Sequence, residues 1–231
     1  MLLFSLECSA AAASAAIYRD EKLLGEEFLN VPQTHSVTLL PMAKSLLEHT
    51  GIFPAQIDYY AVSRGPGSFT GLRIGIAAIK GLAFPDDTPC IGVSTPEAIA
   101  YGLLGFEGTV IPMMDARCGQ VYTALFQGKD GRLTRLSEDE ALPLSELKEK
   151  LKSSPGPLWL CGDGAHLGLA AWGEELPVRM APAHLCCQRA SAVGLAAMQH
   201  LGEAVSPAAL VPCYLRPANA MTLAERQHKA E

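Results

Sequence analysis

The chain lacks Cys-x-x-Cys, His-Glu-x-x-His and any basic excess, and each absence removes a class of function. Its seven cysteines stand at positions 8, 90, 118, 161, 186, 187 and 213. An odd, scattered set with one adjacent pair argues against a disulfide framework or a zinc centre and fits a reduced, cytoplasmic protein. The six histidines show no metal-ligating pair. With 18 Lys and Arg against 24 Asp and Glu, the formal net charge is −6. A chain that gripped tRNA or DNA by itself would carry the opposite excess, because phosphate contacts supply most of that affinity. The uncharged, Ala-rich residues 8–18 are too short to span a bilayer, and the N-terminus has no basic region of a signal peptide, so no membrane is expected. No Gly-Lys-Ser/Thr closes a phosphate loop, and no Gly-x-Gly-x-x-Gly opens a dinucleotide site.

What is present is the run Arg64-Gly65-Pro66-Gly67-Ser68-Phe69-Thr70-Gly71-Leu72-Arg73. An apolar strand (Tyr59, Tyr60, Ala61, Val62) precedes it, and a small-residue helix over 70–84 follows. A strand, a Gly-rich turn and a helix N-terminus in that order bring backbone N–H groups to bear on an anion or a partner. Gly65, Gly67 and Gly71 permit positive φ or close backbone approach, Pro66 stiffens a corner, and Ser68 and Thr70 are N-cap candidates. The alternative is a tight turn whose glycines serve packing alone. The spacing is Gly-x-Gly-x-x-x-Gly, so the run marks a site without assigning a chemistry.

The chain says the same thing twice. A strand over 2–6 ends at Glu7; a strand over 10–18, a polar turn and a third strand to Phe28 follow. A strand over 110–114 ends at Asp115; a strand over 120–126, a polar turn and a strand to Leu136 follow. Helical material comes after each meander. This predicts an α/β fold of two duplicated domains facing each other across a cleft. The expected division is residues 1–104, residues 105–220 and a polar tail 221–231.

The helix over 35–49 has apolar residues at Val37, Leu39, Leu40, Met42, Ala43, Leu46 and Leu47, broader than one stripe, and so needs cover on two flanks. Pro41 should bend it and Gly51 should end it. In the helix over 70–84, Gly71, Gly75 and Ala78 share a face that admits either a partner helix or the domain's own sheet. Thr95 is expected to cap a helix with Pro96 at its first position. Residues 143–152 read as a solvated helix, Leu158 to Cys161 as a buried strand, Gly162-Asp163-Gly164 as a second Gly-rich turn leading into a helix, and residues 191–201 as a helix.

The run from Arg64 to Arg73, with Ile74 and Gly75, resembles the hallmark of the bacterial TsaB (YeaZ) family of tRNA threonylcarbamoyladenosine biosynthesis proteins. His35 with Leu39-Leu40-Pro41-Met42, Lys80-Gly81-Leu82-Ala83, Gly92-Val93-Ser94, Asp115-Ala116-Arg117 and Gly119-Gln120-Val121-Tyr122 agree with it. Gly162-Asp163-Gly164 and Tyr214-Leu215-Arg216 are weaker matches. The resemblance is specific over residues 1–126 and thin over 130–231. Glu7-Cys8-Ser9 stands where the family commonly has Asp-Thr-Ser, which keeps the carboxylate.

The resemblance implies the duplicated RNase H-like (ASKHA, actin/Hsp70-like) architecture. It also implies a non-catalytic partner of TsaD, which transfers threonylcarbamoyl to the adenosine beside the anticodon of tRNAs that read codons beginning with A. TsaE completes the assembly, TsaC or a related enzyme makes the donor, and tRNA is met only through the complex. TsaD-type relatives hold a metal with a His-x-x-x-His pair on the first helix; here Leu39 stands four residues after His35, so no metal is expected. No catalytic set can be assigned and no cofactor is expected.

Glu7, Asp115, Gly162 and Gly164 would be relics of a nucleotide cleft. The expected docking face for TsaD, or for a second copy of this chain, comprises His35, Leu39, Leu40, Met42, Ala43, Leu46, Leu47, Gly71, Leu72, Gly75, Ala78 and Ile79. The competing readings are an ASKHA-type enzyme that binds ATP alone and, nearly excluded, a metallo-endopeptidase.

Overall fold

The computed structural model describes residues 1–31 and 33–216. The expected polar tail therefore lies outside the described residues. The first repeat runs β1 (Leu2–Glu7), β2 (Ala13–Arg19), β3 (Lys22–Leu29), α1 (His35–Thr50), β4 (Tyr59–Gly65), α2 (Phe69–Ala83), β5 (Cys90–Ser94) and α3 (Thr95–Tyr101). The second runs β6 (Gly108–Asp115), β7 (Gln120–Thr123), β8 (Phe126–Lys129), β9 (Arg132–Arg135), β10 (Glu140–Pro143), α4 (Leu144–Leu151), β11 (Leu158–Cys161), α5 (Ala165–Trp172), β12 (Val178–Met180) and α6 (Ala190–Ala197).

The first sheet has the order β3-β2-β1-β4-β5, and the second has β10-β7-β6-β11-β12, with β8 beside β6 and β9 beside β8. In both, the leading strand pairs antiparallel with the next and parallel with the strand after the first helix. This is the duplicated α/β architecture expected from the sequence.

Alternation along the strands decides what covers each sheet. Phe4, Leu6, Tyr60 and Val62 point to one face, under Leu39, Met42, Leu46, Ile76 and Ile79 of α1 and α2. Leu3, Ala16, Ala61, Ile91 and Val93 point to the other, against Ala98 of α3 and Ala190, Val193, Ala196 and Ala197 of α6. On the second sheet, Ile111, Met113, Leu158 and Leu160 meet Leu147, Leu151, Ala165 and Trp172 of α4 and α5. Its opposite face, with Val110, Met114, Phe126 and Cys161, packs on Ile99, Ala100 and Leu103. The molecule is therefore layered α1/α2, sheet, α3/α6, sheet, α4/α5.

A boundary at 104/105 follows the repeat but not the packing. Helix α6, from the second repeat, closes the first sheet. Its N-terminal amides are taken by the first repeat: Ala190 N–H donates to Ser14 Oγ at 2.7 Å and Ser191 N–H to Glu26 Oε1 at 3.0 Å. The Ser5 hydroxyl donates to the Ala190 carbonyl at 2.7 Å. Beyond α6, Val205 bridges Cys90 on β5, and Leu210 enters the first core.

The strand expected over 120–126 is two strands. β7 pairs with residues 113–115 of β6 and β8 with residues 108–110, and the chain breaks between them at Ala124 and Leu125. There Leu125 turns its N–H to the Ser137 hydroxyl and its carbonyl to Leu136 N–H. The strand expected to end at Leu136 is β9, paired with β8, and a further strand, β10, follows it and pairs with β7. Neither β10 nor the three-residue β12 was anticipated; both are too short to show periodicity.

Ser94, not Thr95, caps α3, accepting from Glu97 N–H at 3.2 Å, while the Thr95 hydroxyl is buried without a partner among the described residues. Helix α1 continues through Pro41, which lies on its exposed side, and ends at Gly51 with φ 66°.

Candidate functional site

The glycine run after β4 is seated on its own chain. A Cβ at Gly67 would stand 2.6 Å from the Ser9 carbonyl oxygen, and one at Gly71 would stand 2.1 Å from that of Cys8. One at Gly75 would stand 2.6 Å from Cys8 Sγ. Ser68 N–H donates to the Ser9 carbonyl at 2.7 Å, and the Ser68 hydroxyl caps α2 by accepting from Gly71 N–H at 3.3 Å.

The expected groove of Gly71, Gly75 and Ala78 therefore faces inward. Missing Cβ atoms let α2 settle on the end of β1, and no groove remains for a partner helix. Leu72 and Ile79 are buried with it, as are Leu39, Met42, Ala43, Leu46 and Leu47 of α1. Of the α1 docking residues, Leu40 faces out. His35 is half-buried; its Nε2 donates to the Ala10 carbonyl at 2.7 Å, which fixes the start of α1 on the β1–β2 turn.

The two strand-end carboxylates differ. Glu7 is fully buried: Oε1 accepts from Ser9 N–H at 2.5 Å and Oε2 from the Ser63 hydroxyl. Burial pushes its carboxyl above the ordinary glutamate range, which the hydrogen bonds from Ser63 and Ser9 oppose. It does not face the cleft, contrary to expectation, because Ser63 of the neighbouring strand β4 and Ser9 of the β1–β2 turn enclose it. Asp115 does face the cleft, and Oδ1 accepts from Arg117 N–H at 2.8 Å.

Gly162 and Gly164 pack on β6, where Cβ atoms would stand 2.3 Å from the Met113 carbonyl oxygen and 2.8 Å from Asp115 N. Between them Asp163 reaches the cleft, and its Oδ1 accepts from Gln188 at 2.7 Å. Ser9, Ala10, Gly67, Ser68, Asp115, Arg117 and Asp163 line this cleft, of about 480 Å³. Among the described residues no cluster of three metal-ligating side chains occurs, and no helix is long and apolar enough to cross a membrane.

A second hollow, of about 1020 Å³, lies on the outside of α1. Leu40, Pro41, Leu47, Ile52, Phe53 and Leu82 supply its apolar walls, with Lys44 and Glu48 beside them. Of these walls Leu40 is 51% and Phe53 71% exposed; Val37, a turn earlier on α1, is 64% exposed and Phe84, just after α2, 75%, so large apolar side chains stand in water on and beside this pair of helices. Neither Phe53 nor Phe84 belongs to a helical face that the sequence discloses: Phe53 precedes Pro54 in the turn after α1, and the helix read over 70–84 ends at Ala83, leaving Phe84 in a tighter turn with Pro85.

These features define a two-lobed, duplicated α/β protein with a cleft between the lobes and an apolar outer helix face. A family model described as "TsaD: tRNA N6-adenosine threonylcarbamoyltransferase" matches residues 29–157. The tRNA threonylcarbamoyladenosine biosynthesis protein TsaB of Bacillus subtilis is 31% identical over 95% of this chain and 96% of its own. That of Escherichia coli is 34% identical over 71% of this chain and 72% of its own. Among solved structures, YeaZ from Pseudomonas aeruginosa superposes with a TM-score of 0.78 at 28% identity, covering 93% of this chain and 99% of that one. The chain belongs to the TsaB family of tRNA threonylcarbamoyladenosine biosynthesis proteins.

Proposed function

We propose that this chain is an accessory subunit, with no catalytic residues of its own, in the assembly that places threonylcarbamoyl on the adenosine beside the anticodon of tRNA. Its partner is a TsaD protein, with TsaE joining the assembly and tRNA met only through the complex. The observation that carries this reading is the exposed apolar flank of α1 and the turn after it. Large side chains left in water along a helix and the turn after it are retained where a partner covers them. The match of residues 29–157 to a TsaD family model supports the choice of partner, because related lobes can present similar helices to each other. A second copy of this chain would use the same face, so the homodimer and the heterodimer exclude one another.

The docking residues are revised accordingly. Val37, Leu40, Pro41, Phe53, Leu82 and Phe84 form the face, and the inward residues of α1 and α2 support it from behind. The test is the double variant Leu40→Glu/Phe53→Glu, whose sites lie in water and whose fold should persist. Affinity for TsaD should fall by about thirtyfold or more, roughly 2 kcal/mol of hot-spot energy. Unchanged affinity in a folded variant would place docking elsewhere.

The competing reading, a self-sufficient ATP-binding enzyme, would need Glu7 in the cleft to help hold magnesium. That ion wants near-octahedral oxygen ligands, and Glu7 is enclosed. Calorimetry with ATP and magnesium decides: a micromolar dissociation constant for the isolated chain would reinstate that reading.

A further inference from the structure

The last described residues lie across the motif that dominates the sequence. Leu210 is fixed in the first core, 3% exposed, and Val211 emerges from it, 60% exposed. Cys213 N–H then donates to the Arg64 carbonyl at 2.7 Å. The Cys213 carbonyl oxygen lies against Gly65, where a Cβ would stand 2.1 Å away; Gly65 has φ 125° and so has two reasons to be glycine. The Tyr214 ring stacks on Phe69 with centroids 4.9 Å apart. Arg73 lies over the Phe69 ring at 3.7 Å and donates from Nε to the Tyr214 hydroxyl at 3.1 Å. Arg216 crosses to the other lobe and donates to the Ala116 carbonyl at 2.9 Å.

The motif and the loop after β6 face each other across a hollow of about 200 Å³. Pro66, Gly67 and Phe69 form one wall, Ala116, Arg117 and Tyr122 the second, and residues 213–216 the third. Gly67, Ala116, Arg117 and Tyr122 also line the main cleft, so the two spaces adjoin.

We propose that residues 211–216 are a strap that gates the cleft. Seated, it joins the lobes and walls off the cleft on this side; lifted about the Leu210 anchor, it lets the two hollows open as one. Arg64, Gly65, Phe69 and Arg73 of the motif are then the seat of the chain's own strap. No partner is needed for this motion. The Tyr214 ring is the latch, because Phe69 and Arg73 both meet it.

The test is hydrogen exchange on the full chain, comparing the native protein with Tyr214→Ala and Tyr214→Phe. In Tyr214→Ala, exchange at the Cys213 amide and at the Ala116 and Gln120 amides of the facing loop should rise by about tenfold or more. The paired Cys90 and Val205 amides, behind the anchor, should stay as protected as in the native protein. Tyr214→Phe keeps the stacked ring and should restore most of the protection. Native-like exchange at Cys213 in Tyr214→Ala would overturn the latch. Loss of protection at Cys90 and Val205 together with Cys213 would also overturn the gate, because the whole segment would then unfold as one piece rather than swing at Leu210.

Discussion

The two repeats share a strand order and differ in almost everything attached to it. The strand-end carboxylate of the first, Glu7, is sealed by Ser9 and Ser63; that of the second, Asp115, opens onto the cleft. The Gly-rich turn of the first carries the strap, and the Gly-rich turn of the second carries Asp163 into the cleft. The first repeat has helices of 16 and 15 residues outside its sheet, and the second has two of 8 residues. Duplication therefore supplies the frame, and the two halves build on it differently. Among the described residues, the long helices with an apolar outer flank stand on the first lobe, while the short α4 and α5 cover the second sheet.

The largest effect expected follows from the inward face of α2. Gly71→Val puts a branched side chain where a single Cβ already overlaps the Cys8 carbonyl. Backbone cannot yield there as a flexible side chain can, so destabilisation of about 3 kcal/mol or more is expected. Gly81, on the same helix, has nothing within 4 Å of its Cβ position. Gly81→Ala should stabilise by up to about 1 kcal/mol through helix propensity. Denaturant midpoints of the two variants read the contrast directly. Equal, small effects would mean that α2 does not rest on β1.

The second lobe offers the complementary break. Trp172 is 2% exposed and fills the layer between α5 and β6. Trp172→Ala should cost about 3–5 kcal/mol by leaving a large cavity. Because the proposed docking face belongs wholly to the first lobe, the folded fraction of this variant should bind TsaD with native affinity. A parallel loss of affinity would show that the second lobe shapes the face.

The duplication was legible in the sequence; the asymmetry built on it was not. The repeat itself was visible because each half opens on an apolar strand ending in an acid, a pattern that survives where helix lengths do not. The Gly71/Gly75/Ala78 row was visible too, but its direction was not. Small residues on one face say that something comes close, and only the position of Cys8 shows that it is the domain's own strand. The placement of α6 was illegible for a related reason: its Ala-rich sequence fits under any sheet. What chose the first sheet were Ser14, Ser5 and Glu26, more than 160 residues away in sequence. The strap was represented by Tyr214-Leu215-Arg216, noted as a match without a role, since a segment with neither helix nor strand period discloses its contacts only in three dimensions.

Glu7 gives the comparison a pH dependence. Its carboxyl titrates above the ordinary range because burial disfavours the charge. The folded state therefore binds its proton more tightly than the unfolded chain. The associated stability is complete below the ordinary glutamate value and is lost as pH rises through the raised one. Glu7→Gln removes that loss. It should leave stability near pH 4 almost unchanged and raise it near pH 8, the gain growing as pH climbs between the two. Equal pH profiles for native protein and Glu7→Gln, from urea midpoints at the two pH values, would contradict the sealed state of Glu7.

The smallest effect expected concerns the seam between the lobes. Arg135 of β9 reaches Glu97 of α3 at 3.1 Å and Asp139 at 2.8 Å, while His200 meets the same Glu97 at 2.9 Å and Glu203 at 2.8 Å. Glu97 thus sits between a cation of the second sheet and one that follows α6. Partial burial works against the charged imidazole, but the two carboxylates outweigh it and raise the His200 pKa above the ordinary histidine value. A raised histidine contributes stability that is fully present below its unfolded pKa and disappears as pH climbs through the folded one. His200→Ala should therefore cost at most about 1 kcal/mol near pH 5.5, since the site is partly wet, and nearly nothing near pH 8.5. Urea midpoints across that range, read as the difference between native protein and variant so that Glu7 cancels, give the answer. A difference that stays constant with pH would mean that His200 holds the seam by shape alone and that its charge plays no part in joining the lobes.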